Sequence, residues 1–381
     1  MAKRNANGGG SIRKRKDGTW EGRFTVGRDP RTGRQVQRSV YGKTQAEVRQ
    51  KLTAATREID GGTYLAPNRM TVAAWCELWL STYTNGVRES TRAAYASQLR
   101  SHIIPALGRV QLSKLTAPQI QQLYNGLTLS PSSVKILHRV FRQALQRAVD
   151  LGYLRANPAN LCTLPRVEKS EIKPLDDEQT RAFLEAIEGH RFEYAFKLAL
   201  FTGMRQGELL GLRWSCVDLE AGTLVVDKQL VRVNGSHHLT PTKTGKARTI
   251  VLAPQAIQTL KARRAEQTEH QLKAGYLWEN PLDLVFTNEL GRFVTLDSLY
   301  GAFKTVARRI GCPDARFHDL RHSYAVSALR AGVDIKTIQT ALGHSSATIT
   351  LDTYAHTTLE MQRAGAEQLG AFLKGVLGRK G

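Results

Sequence analysis

Six side chains in the second half of the sequence carry enough chemistry to define a site: Arg205, Lys243, His318, Arg321, His344 and Tyr354. Arg205 follows the break in Thr202-Gly203-Met204, with Glu208 three residues on, a spacing that puts both on one face of the next helix. His318 and Arg321 share a helix face in Phe317-His318-Asp319-Leu320-Arg321-His322-Ser323. Lys243 precedes the turn of a hairpin, His344 follows a helix end at Leu342-Gly343, and Tyr354 comes ten residues later. Singly, each has an ordinary explanation as a surface ion pair, a solvated turn lysine or a capped helix end. Together they are strongly cationic, and the anion that fits them is a phosphate. Two arginines give paired N–H donors to non-bridging oxygens in a geometry lysine does not reproduce. Phosphoryl transfer builds charge on those oxygens, and donors fixed beforehand stabilise it. A tyrosine is phenolate in only about one molecule in a thousand at neutral pH. A cationic pocket raises that fraction and activates Tyr354 as nucleophile. A lysine on a hairpin can protonate the leaving alkoxide as general acid. The arginines take the place of a metal, so no acidic metal-binding cluster is required.

A competing reading attaches to His318 and His322, whose i, i+4 spacing resembles the zinc-protease helix H-E-x-x-H. Asp319 stands where that motif has Glu, Arg321 would push a cation toward the metal, and no third ligand is obvious. The phosphate reading is therefore preferred.

The elements that must position these residues follow from pattern and punctuation. Ser11–Arg15 pairs with Trp20–Val26 across Lys16-Asp17-Gly18, and a turn at Asp29-Pro30-Arg31-Thr32-Gly33 leads to a third strand at Gln35–Tyr41. Thr44 with Glu47 reads as a capping box opening a helix to Ile59. Four amphipathic helices follow: one on Val72, Trp75, Leu78 and Trp79, one over Ser90–Ile103 broken by Pro105, one from Thr116, and one from Ser130 to Gly152. A Pro-rich stretch around residues 161–173 reads as a linker. The remainder is mainly helical, with strands at Thr223–Val233 and Leu239–Leu252 and another at Val285-Phe286-Thr287. The amphipathic tail Leu359–Leu377 is left between a helix folded on its own domain and one docked on a neighbouring protomer.

The 381 residues suit two or three domains, and 55 Lys+Arg against 33 Asp+Glu give a formal charge of +22. With 41% hydrophobic residues the chain is no disordered polycation. A surplus of that size on a folded chain points to nucleic acid. The first 60 residues hold +9 of it, and the strands there place Arg13, Lys14, Arg15, Lys16, Trp20, Arg23, Arg28, Arg34 and Arg38 on a small sheet suited to a DNA groove. Arg92, Arg139 and Arg142 in the helical middle suit a phosphate backbone. The apolar runs are shorter than a membrane helix needs, the N-terminus is polar, and the four cysteines are scattered, which points to a cytoplasmic protein without a membrane anchor.

The order Arg…Lys…His-x-x-Arg…His…Tyr, in these contexts, resembles the tyrosine recombinases. Thr202-Gly203-Met204-Arg205-Gln206-Gly207-Glu208-Leu209 matches their first box. His318-Asp319-Leu320-Arg321-His322-Ser323, Leu342-Gly343-His344-Ser345-Ser346 and Thr353-Tyr354-Ala355-His356 match the second. The resemblance is closest to phage and conjugative-element integrases. It implies a multidomain fold, mainly α with small β-sheets: residues 1–62 an arm-site DNA-binding domain of three strands plus a helix, 70–160 a helical, SAM-like core-binding bundle, 161–173 a linker, and 174–381 a mixed α/β, mostly α catalytic domain of tyrosine recombinase type.

The resemblance also implies a function, in which the chain integrates and excises a mobile element. Tyr354 would attack the scissile phosphodiester to give a 3′-phosphotyrosyl link and a free 5′-hydroxyl. Arg205 and Arg321 would clamp the phosphate with His318 and His344 supporting, Lys243 would protonate the 5′-oxygen, and Glu208 would hold Arg205. Neither ATP nor metal is implied, and no cofactor. The implied partners are double-stranded DNA at core and arm sites and three further copies of the chain in a tetramer, passing through a Holliday junction. A DNA-bending protein and an excisionase are accessory partners the family admits. Cys216 stands where the first box often continues with an acidic residue, a departure that touches none of the six positions. Other readings stay in view: a chromosome-dimer resolvase, a type IB topoisomerase, and a DNA-binding repressor without catalysis. A rolling-circle relaxase lacks its metal motif, because His237 and His238 are adjacent.

Overall fold

The computed structural model describes residues 10–28, 32–61, 69–168, 174–233, 235–243 and 245–343, with 366–367, 369–370 and 373–374 near the end. The chain divides into two compact units, Met1–Glu168 and Lys169–Gly381.

In the first unit, strands β1 (Ser11–Lys14), β2 (Trp20–Arg28) and β3 (Gln35–Gly42) form an antiparallel sheet in chain order. The register sets Arg13 opposite Glu21, Glu21 opposite Tyr41, and Arg23 opposite both Ser11 and Ser39. Directly opposed side chains share a face, and faces alternate along a strand. One face therefore carries Arg13, Glu21, Arg23, Ser39 and Tyr41. The other carries Ile12, Phe24 and Val40, which close a small apolar cluster with Leu52, Ala55 and Ile59 of the helix Gln45–Asp60. That helix starts as its sequence requires: the Glu47 N–H donates to Thr44 Oγ1 at 3.2 Å. The Glu47 carboxylate reaches one residue further back than a capping box does, accepting the Lys43 N–H at 2.9 Å.

Helices Val72–Thr82, Glu89–Gln98, Ala117–Gly126 and Pro131–Asp150 surround a second, larger apolar cluster. Along the last of them Val134, Leu137, Val140, Phe141, Ala144, Leu145 and Ala148 are all buried, the stripe their spacing predicts. Trp75 is fully buried, and its indole N–H donates to the Ala144 carbonyl at 2.9 Å. The expected break at Pro105 does not occur. The helix passes through a π-helical turn, Leu99–Ile103, into Ile104–Leu107. A wider turn tolerates the missing proline N–H, and the core fixes it there through Leu99 and Ile103, both fully buried.

The second unit packs helices Asp177–Ala186, Glu193–Thr202, Gln206–Leu210, Pro254–Ala274, Leu296–Arg309, Phe317–Arg330 and Ile335–Leu342 with two small sheets. Strands β4 (Val217–Asp218), β5 (Thr223–Val226) and β8 (Arg248–Val251) form one sheet, in the order β4-β5-β8. Strands β6 (Lys228–Val233) and β7 (Ser236–Pro241) form the other. The one strand group expected at Thr223–Val233 and Leu239–Leu252 is four strands divided between two sheets, because the chain changes sheets at Asp227 and again after Pro241. The strand expected at Val285-Phe286-Thr287 is also corrected. That segment makes only an isolated bridge, Thr287 to Phe293. Its carbonyls are taken instead by helix side chains, Arg263 Nε to Val285 O at 3.0 Å and Arg263 Nη2 to Thr287 O at 3.0 Å. The rings of Phe183, Phe196, Phe303 and Phe317 meet at centroid distances of 5.7–6.3 Å and bind together the helices that carry the site.

Candidate active site

The helix Glu193–Thr202 stops at Gly203, whose φ of +64° is the left-handed conformation a Gly adopts without strain. A Cβ there would come within 2.6 Å of both the Leu342 and Tyr324 side chains. The turn delivers Arg205 to the N-cap of the helix Gln206–Leu210. The Arg205 N–H donates to Glu208 Oε2 at 3.0 Å, and its Nη1 to Glu208 Oε1 at 2.8 Å. Glu208 is no surface partner, being fully buried. A second guanidinium meets it from the other side, Arg248 of β8, with Nη1–Oε1 at 3.1 Å and Nη2–Oε2 at 2.6 Å. Burial alone would raise the Glu208 pKa. The hydrogen bonds and charge of Arg248, then those of Arg205, overcome it and hold the carboxyl at about 2.

Arg321, only 2% exposed, donates from Nη1 to the Gly203 carbonyl at 2.8 Å and from Nη2 to the Leu342 carbonyl at 2.6 Å. Arg248 Nε donates to the Ala341 carbonyl at 2.7 Å, and Arg205 Nη2 to the Gly343 carbonyl at 3.4 Å. Three arginines from three separate elements thus bind three consecutive carbonyls at the end of the helix Ile335–Leu342. Such carbonyls lack partners within the helix and carry the negative end of its dipole, so cations belong there.

His318 is the second residue of the helix Phe317–Arg330 and is exposed as a residue at that helix start. The surrounding protein and the cations of Arg321 and Arg205 lower its pKa, which favours the neutral ring. His322, one turn on, lies edge-on to it at 4.9 Å and is held at about 4, by burial first and by His318 next. The zinc-helix reading fails on Asp319, whose carboxylate caps its own helix, accepting the Arg316 N–H at 2.8 Å and Arg316 Nη2 at 2.9 Å. Among the described residues no three His, Cys, Asp or Glu side chains gather as a metal site would need.

Arg205, His318 and Arg321 are therefore brought together. Lys243 is exposed on the turn between β7 and β8, five residues before Arg248. His344 and Tyr354 lie outside the described residues, immediately and eleven residues beyond Gly343 in sequence. Arg248 was missed, although a signal existed: Ile250 and Leu252 point inward, and a period of two turns Arg248 inward with them.

On the N-terminal sheet, Arg13 and Arg23 stand on the open face, joined through Glu21. Its carboxylate accepts from Arg13 Nε at 2.7 Å, Arg23 Nε at 3.0 Å and Ser39 Oγ at 2.8 Å. Arg23, Ser39 and Arg13, in that order of effect, hold its pKa at about 2. Arg15 stacks over the exposed Tyr41 ring at 5.4 Å. Lys14, Trp20 and Arg38 alternate to the helix-covered side, and Lys16 sits in the first turn. Arg28 and Arg34 flank the second turn, whose residues 29–31 are outside the described set. Arg92 and Arg139 are exposed on the bundle, and Arg142, also exposed, donates to Asn160 Oδ1 at 2.6 Å.

Residues 173–361 match the phage integrase family, and residues 71–128 match the N-terminal SAM-like domain of phage integrases. A XerC-like tyrosine recombinase of Caldanaerobacter subterraneus subsp. tengcongensis is 32% identical over 371 residues, which are 91% of this chain and 94% of that one. Among solved structures, the Tn1549 transposon integrase in complex with transposon right end DNA superposes with a TM-score of 0.68 at 22% identity. That match covers 79% of this chain and 100% of the other. A lambda integrase, seen as a tetramer bound to a Holliday junction, gives 0.59 at 20% identity over 88% of this chain and 96% of that one. With the fold, the arginine cluster and a full-length relative in agreement, the chain belongs to the tyrosine recombinases of the phage integrase family, enzymes of site-specific DNA recombination.

Proposed function

We propose that this integrase cuts and rejoins DNA with the six residues its sequence singles out. The observation that carries the reading is the convergence of Arg205 and Arg321 on the helix end that runs directly into His344. Tyr354 attacks phosphorus, the bond to the 5′-oxygen breaks, and a 3′-phosphotyrosyl link replaces it. The phenol proton leaves to a neighbouring base, and Lys243, on its exposed turn, supplies a proton to the departing oxygen. Arg205 and Arg321 hold the non-bridging oxygens, and His318 accepts or donates one hydrogen bond at the phosphate. One phosphodiester is exchanged for another, so bond energy is conserved through the intermediate.

Residues 1–62 serve as the arm-site domain, 70–160 as the core-binding domain, 161–173 as linker and 174–381 as catalytic domain. The separate apolar clusters of the sheet with its helix and of the four-helix bundle support the first division. The open sheet face of Arg13, Arg15, Arg23 and Tyr41 is the part of the arm domain suited to a groove. The lambda tetramer on a junction supports assembly as a tetramer on DNA, and the chain is proposed to act in the cytoplasm. A bending protein and an excisionase complete the partners proposed.

The test is a supercoiled plasmid carrying the DNA that flanks the gene, incubated with the parent chain and with Tyr354→Phe in EDTA. The expected result is a covalent 3′-linked adduct with the parent alone. Tight binding by both proteins and no adduct from either would move the reading to a repressor.

A further inference from the structure

Arg248 has no place in the chemistry above, yet it occupies the centre of the network. It stands on an inward-facing strand position whose neighbours Ile250 and Leu252 are apolar and buried. A side chain serving the fold alone would be apolar there, since burying a guanidinium is costly unless it is fully paired. Arg248 is bonded at each of its three nitrogens, and the way it is paired constrains Arg205. Its two Nη groups take both oxygens of Glu208, at 3.1 and 2.6 Å. Arg205 reaches that carboxylate with Nη1 alone, at 2.8 Å, and its backbone N–H. A carboxylate offered to one arginine closes a two-pronged pair with it. With Arg248 in that role, Arg205 keeps its Nη2 free of the carboxylate and turned to the Gly343 carbonyl. Arg248 Nε holds the Ala341 carbonyl as well, so the same side chain fixes the helix end from which His344 departs.

We propose that Arg248 is a positioning residue for DNA cleavage. By occupying Glu208 it aims Arg205 at the scissile phosphate, and by holding Ala341 it fixes the end of the helix Ile335–Leu342 that Arg205 and Arg321 also bind. This rests on the assignment of Arg205 and Tyr354 to the site.

The experiment is single-turnover cleavage by the full chain on a duplex spanning the cut mapped in the plasmid assay. It is run once with the natural 5′-oxygen and once with sulfur in the bridging position. A thiolate, with a pKa near 8.5, leaves without a proton, so a fault in proton delivery by Lys243 is bypassed by sulfur and a fault in the phosphate clamp is not. Arg248→Met keeps the aliphatic stem and drops the donors. Its cleavage rate constant is expected to fall about 100-fold on both substrates, the size of losing a fixed donor at developing charge, with DNA affinity within about twofold of the parent. The parent and Tyr354→Phe, run alongside, test the site assignment itself. If the parent fails or Tyr354→Phe still forms adduct, that assignment falls. If they behave and Arg248→Met cleaves within about threefold of the parent, the positioning role alone is refuted. Recovery on sulfur only would put Arg248 behind Lys243 instead of Arg205, and would also refute it. Should Arg248→Met lose its cooperative melt, Arg248→Lys is read by the same criteria. Collapse of both would make Arg248 a folding residue and overturn the proposal.

Discussion

Replacing Glu208 by Gln keeps the shape of the side chain and removes the charge that two guanidiniums share. The structure sets the size of the effect. Glu208 is fully buried, and its pKa falls from 4.5 to about 2 on folding. That difference corresponds to roughly 3 kcal/mol of stability at pH 7, present only while the carboxylate is charged. A folded-state pKa below the unfolded one stabilises above the unfolded value, and the gain is lost as pH falls through the folded value. The parent should therefore exceed Glu208→Gln by roughly 3 kcal/mol at pH 7, keep most of that gap at pH 4 and less than half of it at pH 3. Urea unfolding of the full chain, followed by hydrogen exchange in peptides from residues 174–343, assigns the transition to the second unit. A gap that stays constant between pH 7 and pH 3, or one under about 1 kcal/mol at pH 7, would refute the shared-carboxylate account.

Three further outcomes follow from the same geometry. Gly203→Ala should destabilise the second unit by about 2–4 kcal/mol, from the left-handed backbone and a Cβ 2.6 Å from Leu342 and Tyr324, and thermal melts will show it. Arg321→Lys should cut adduct formation at least about 100-fold with DNA binding retained. One ammonium cannot hold the Gly203 and Leu342 carbonyls and a phosphate in the same geometry, and near-normal turnover would remove Arg321 from the site. Glu21→Gln should release Arg13 and Arg23 from a common anchor. Titrations should then show stronger binding to random DNA at low salt and weaker preference for the flanking DNA, while unchanged preference would leave Glu21 a purely structural ion pair.

What could be read from the sequence was whatever is written locally. Thr44 and Ser130 announce their helices because a cap bonds three residues ahead. The stripe from Val134 to Ala148 appears whole because a helix buries its own period. The pairing of Arg205 with Glu208 lies within one turn and was visible, but its burial was not. The second partner of that carboxylate, Arg248, stands forty residues from Glu208 and on another element. The continuation past Pro105 was hidden for a similar reason. Proline disfavours a helix locally, and the apolar cluster around Leu99 and Ile103 overrides it. At Val285–Thr287 the residues suit a strand, yet the partners that take its carbonyls are Arg263 and Gln267 of a helix, which no strand pattern encodes.

The three arginines at the end of the helix Ile335–Leu342 bind main-chain oxygens, which every residue type possesses. Mutational drift at Ala341 therefore leaves its hold on Arg248 intact, and at Leu342 it is limited by packing alone. Gly343 is the exception: its φ is +64°, and a Cβ there would meet the Arg248 side chain at 3.0–3.2 Å. A lineage diverging toward new DNA sites can rewrite much of this helix while the geometry at its end is inherited through the backbone, with one glycine and three arginines as the fixed points.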